Sequence, residues 1–67
     1  MNHSLRSEAE TLADAAERLA DIAIDLLSSA VDGDQHALRL EREVQRARRS
    51  VVKASEILMS VSDQPRD

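Results

Sequence analysis

The sequence predicts an all-α protein, an antiparallel two-helix hairpin of coiled-coil type. Three observations carry that prediction. Leu5, Leu12, Leu19 and Leu26 recur every seven residues, with Ala9, Ala16, Ala23 and Ala30 recurring four positions after each. Ala37, Leu40, Val44, Ala47, Val51, Ala54, Leu58 and Val61 step alternately by three and four. The single glycine, Gly33, falls between these two runs. Apolar residues at this spacing form a seam along one face of a helix, and two such seams joined by a tight turn fold back on each other.

The elements follow in order. Ser7 and Glu10 form an S-x-x-E capping box, with Ser4 as a competing cap, so the first helix is expected over about 7–31. Val31-Asp32-Gly33-Asp34 supplies the turn at 32–34. Glycine adopts the left-handed backbone that closes a helix, and the Asp34 carboxylate can cap the next one. The second helix is expected over about 35–62, with a frayed tail at 63–67 and Pro65 as a stop signal. The intervening residues are rich in Ala, Leu, Arg and Glu, all good helix formers. In an antiparallel hairpin with this turn, Leu12 should lie near Val51 to Leu58, and Leu19 near Val44 to Val51.

One domain is expected from 67 residues, and its core is thin. Of the 28 apolar residues ten are alanine, which leaves 18 larger aliphatic side chains; there is no aromatic residue and no cysteine. A chain this short usually needs a staple or a partner, and disulfides are excluded. Part of the larger aliphatic set lies off the seams: Ile22, Ile24, Leu27 and Val31 in the first helix, and Leu38, Val52, Ile57 and Met59 in the second. Two helices cover only one side of each other. These eight residues are therefore the candidate partner-binding surface, for a second hairpin that completes a four-helix bundle or for a different helical protein.

The halves differ in charge. Residues 5–31 carry six acids against two arginines, and residues 35–62 carry six bases against three glutamates. Arg39, Arg42, Arg46, Arg49 and Lys53 line one face of the second helix, a candidate surface for an acidic partner or for nucleic acid. The net charge of −4 and the lack of any base-stacking aromatic weigh against nucleic acid and toward protein pairing.

No enzyme, cofactor or metal chemistry is predicted. His3 sits near the terminus and His36 in the first turn of the second helix, and no serine has a base placed to activate it. Glu10, Asp14, Glu17 and Asp21 share a solvated face without the Glu-x-x-His pairs of a bundle metal site. Asp32-Gly33-Asp34 lacks the ligand series of a calcium loop. The N-terminus lacks a signal-peptide pattern and no apolar run exceeds three residues, so a cytoplasmic protein is expected, with no membrane partner.

Through Gly33-Asp34, Leu40, Val44, Val51 and Ile57-Leu58, the chain resembles the small helical-hairpin co-chaperones of type III secretion needle subunits. That resemblance implies a heterodimer with a repeat-type chaperone that together hold an aggregation-prone needle subunit. The hairpin is also similar to the Rop-like family, whose dimeric hairpins bind paired RNA loops through a first helix that is acidic here. The small subunit of exonuclease VII is a third hairpin of this type, whose aromatic and Glu-rich pattern this chain lacks. The expected function is thus a non-enzymatic interaction module. The alternatives are a homodimeric nucleic-acid regulator and an accessory subunit of a larger enzyme.

Overall fold

A computed structural model describes residues 2–64. Two helices fill nearly all of it: α1, Asn2–Val31, and α2, Gln35–Ser62. They pack side by side as the antiparallel hairpin that the heptads predict, 56 × 14 × 10 Å in extent.

The turn is built as its residues dictate. Gly33 has φ +104°, a conformation that side chains with a Cβ rarely adopt. Its N–H donates to the Ala30 carbonyl (3.0 Å), and the Asp34 N–H reaches back to the Ser29 carbonyl (3.2 Å). These two bonds are the Schellman pattern, and they satisfy carbonyls that the end of α1 leaves open. Asp34 then turns cap: its carboxylate Oδ1 accepts from the Ala37 N–H at 3.0 Å, which opens α2. One residue thus closes the first helix and starts the second.

The start of α1 departs from expectation. The helix begins at Asn2 rather than near residue 7, and Ser4 and Ser7 lie inside it. The capping box is therefore unused, and the Ser7 carbonyl instead accepts from Thr11 Oγ1 (3.0 Å). The cause is tertiary. Leu5 is half-buried, and Arg6 Nη2 meets Asp63 Oδ1 at 2.6 Å, so the opposing end of α2 holds the first turn in helical form. At the other end α2 stops at Ser62, where Asp63 donates to the Met59 carbonyl. Pro65 and most of the expected tail lie outside the described residues.

The core consists of small side chains. Ala9 (0% exposed), Ala16, Ala23 and Ala37 are buried, and among the described residues no large side chain is fully buried. Leu5, Leu12, Leu19 and Leu26 are each half-buried along one flank of the alanine line. The α1 seam is therefore the one its heptads predict.

The α2 seam is a correction. Ala37 is buried and Val44, Val51 and Leu58 are half-buried, as expected. The alternate positions Leu40, Ala47 and Val61 are exposed, and only Ala54 is half-buried. The line that faces α1 is one residue further on, at Glu41, Arg48, Ser55 and Ser62, of which the two serines are buried. Ser55 Oγ donates to the Ala9 carbonyl at 2.8 Å, across the hairpin. Counting from that bond at equal rise along both helices, Leu12 is level with Val51 and Val52, and Leu19 with Val44 and Gln45. These are the layers expected for both leucines. The same count sets Ala16 beside Arg48 and Ala23 beside Glu41. Small residues of α1 thus stand beside Ser55 and the half-buried side chains of Arg48 and Glu41.

Candidate interaction surface

The two faces of the hairpin differ in chemistry. With contact lines at Ala9-Ala16-Ala23 and Arg48-Ser55-Ser62, the helical repeat places every other column of side chains. Because the helices are antiparallel, columns displaced in the same rotational sense on both helices emerge on the same side. One side carries Leu5, Leu12, Ala15, Leu19, Ile22 and Leu26 from α1. Beside them lie Leu40, Val44, Ala47, Val51, Ala54, Leu58 and Val61 from α2. The one charged residue in these columns is Glu8. This face is apolar for its whole length.

The opposite side carries Arg6, Glu10, Glu17, Arg42, Arg49 and Glu56 in the equivalent columns, interleaved with Ala13, Ala20, Leu27, Leu38, Val52 and Met59. Two contacts confirm the assignment independently. The Arg6–Asp63 ion pair falls on this side, and so does a shallow groove of about 340 Å³ whose walls include Ala13, Glu17, Val52 and Glu56. Its rim is charged.

The eight residues singled out from sequence therefore do not form one patch. Ile22 (47% exposed) lies on the apolar face, and Ile57 sits at that face's outer edge on α2. Leu38, Val52 and Met59 are half-buried on the charged side, with Leu27 across from them. Ile24 and Val31 are on the outer margin of that side near the turn, Val31 at 81% exposure. Missing from the sequence set are Leu40 (40% exposed), Ala47, Ala54 and Val61 (42%), which the heptad pattern places in the intrachain seam. The seven-residue spacing of Ser55 and Ser62 was the available signal. Small polar residues at that spacing suit the close alanine line better than a column of mixed Leu, Ala and Val does.

Arg39, Arg42, Arg46, Arg49 and Lys53 are all exposed on the outer side of α2, pointing away from α1. Arg46 is engaged locally, its Nη1 lying 2.8 and 3.1 Å from the two carboxylate oxygens of Glu43. An open depression of about 680 Å³ runs between Arg46, Arg49 and Lys53, with Glu43 in its wall. The stripe is thus present, but diluted by an acid within it. Both histidines are exposed. Among the described residues no three His, Asp or Glu side chains come together as metal ligands.

Fold and surface together define the class, a minimal helical hairpin with one apolar and one charged face. No family model matches the chain, and neither does any curated protein or solved structure. Among the described residues no helix is long and apolar enough to cross a membrane.

Proposed function

We propose that this chain is a non-enzymatic, cytoplasmic protein-interaction module that works by burying its apolar face against other helices. The observation that carries the reading is the mismatch between core and face. Among the described residues the hairpin buries only four alanines and two serines, while most of its larger aliphatic side chains stand in a continuous, almost uncharged sheet on one side. Burying apolar area is the main source of folding free energy, and a hairpin that leaves this much uncovered has its principal contact still to make. Holding an aggregation-prone helical client, as the resemblance to needle-subunit co-chaperones implies, is one form of that activity.

The test is the solution behaviour of the isolated chain. Association with itself, or a weak and poorly cooperative thermal transition, is the expected result. A stable monomer with a sharp melt, and no increase in fluorescence of an apolar-surface dye, would overturn the proposal.

A further inference from the structure

Resting on the interaction reading above, the apolar face can be given an occupant. We infer that it is covered by the same face of a second copy of this chain, packed so that α1 of each protomer lies beside α2 of the other.

The roll of the two apolar stripes is the first support. In α2 the apolar columns 37-44-51-58 and 40-47-54-61 both lie to one side of the contact line. In α1 the leucine column and then Ala15 and Ile22 lie to the same side. A helix in an isolated pair aims its stripe at its one neighbour. A helix in a four-helix bundle touches two neighbours and aims its stripe between them, which is the roll seen here on both helices.

Area is the second. The broad side of the hairpin measures 56 × 14 Å between Cα atoms, about 780 Å². A standard stable interface takes about 800 Å² from each partner. As a flat projection the side is of the same order, so a dimer of standard size engages the face along its whole length.

Charge selects the arrangement. α1 carries six acids and two arginines, and α2 six bases and three glutamates, so their net charges are −4 and +3. A twofold axis along the helices alternates the signs around the bundle, with every neighbour of opposite charge. A twofold axis across the helices would set α1 against α1 and α2 against α2. The face is self-complementary in the first arrangement alone.

The absence of cysteine makes this directly testable. Sedimentation equilibrium of the full chain should give twice 7.4 kDa. Ala15 is level with residues 47–51 of α2, and an axis along the helices keeps that level in the partner. Ala15→Cys and Ala47→Cys are then oxidised mildly, each alone and as a mixture, after circular dichroism shows that both keep the parent's helicity. Bridges should form at least about tenfold faster in the mixture than in either variant alone, since cysteines whose Cα atoms are more than about 7 Å apart do not bridge without backbone movement. Ala15→Cys linking to itself as fast as the mixture links would overturn the inference, as would any mass other than a dimer's. A weakly cooperative monomer overturns the second-copy inference and leaves the interaction reading standing. A monomer with a sharp melt and no increase in apolar-surface dye fluorescence overturns both.

Discussion

Ile22 and Ile24 are two residues apart in one helix, and the structure predicts very unequal consequences for the same substitution. Ile22 is 47% exposed on the apolar face; Ile24 is more exposed, at 66%, but on the margin of the charged side. Complete burial of an isoleucine contributes about 1.5–3 kcal/mol. If a second copy covers Ile22, association gains the uncovered half of that, about 0.7–1.4 kcal/mol per site and about 1.4–2.8 kcal/mol for the two sites of a dimer. Ile22→Ser should therefore weaken self-association by roughly 10- to 100-fold. Ile24→Ser should leave it within about threefold, because that position stays in water in both states. Isoleucine and serine have similar helix propensity, so the helix itself provides a matched background. The assay is the monomer–dimer constant from sedimentation equilibrium, with helicity followed by circular dichroism over the same dilution range. Equal effects at the two positions, or a larger one at Ile24, would refute the assignment of faces.

Four further outcomes follow from particular contacts. Gly33→Ala should lower stability by about 1 kcal/mol or more in chemical denaturation: nothing lies within 4 Å of the added Cβ, so the cost is the backbone at φ +104°. Asp34→Ala removes the acceptor of the Ala37 N–H and should cost about 0.5–2 kcal/mol, while Asp34→Ser should retain most of it. Ala16→Leu forces a large side chain into the closest approach of the helices beside Arg48. It should cost about 1–3 kcal/mol in the same assay, against little for Ala13→Leu at an exposed site. Finally, coupling of folding to association makes the melting temperature rise with concentration, by about 3–6 °C for each tenfold increase in a calorimetric series. A concentration-independent midpoint would show that the hairpin folds alone.

How far the sequence could be read depends on what periodicity measures. A heptad locates the centre of an apolar stripe. It does not say which part of a wide stripe meets the neighbour in the same chain. In α1 the two coincide well enough, since the alanine column lies at the contact and the leucines beside it. In α2 they do not. The stripe is centred between the columns of Val44 and Ala47, and α1 sits at its edge, over Arg48 and Ser55. In α2 the difference between the two readings traces to that offset: the heptad places Leu40, Ala47, Ala54 and Val61 in the seam, where the structure exposes all but the half-buried Ala54, and leaves out Leu38, Val52 and Met59, which the structure half-buries. The turn was fully legible because Gly33 and Asp34 each have a local chemical role that no tertiary contact overrides. The start of α1 is not, because Arg6, which helps to extend it, is held by Asp63, 57 positions away.

That offset also explains the odd composition of the intrachain contact, where alanine faces serine, arginine and glutamate. A contact built from Ala9, Ala16 and Ala23 brings the two backbones close enough for the Ser55 hydroxyl to reach the Ala9 carbonyl, and for the stem of Arg48 to lie half-buried with Nε on Gln45 Oε1 at 2.8 Å. Such a line specifies register, because a directional hydrogen bond and a tight turn allow only one alignment. It buries little apolar area, since alanine has little to bury. The leucine, isoleucine and valine columns have the converse character, large in area and tolerant in direction. The chain thus separates two tasks that a larger domain performs in one core. Shape is fixed within the hairpin by small and polar residues, and most of the stabilising area is held on the face that another set of helices has to cover.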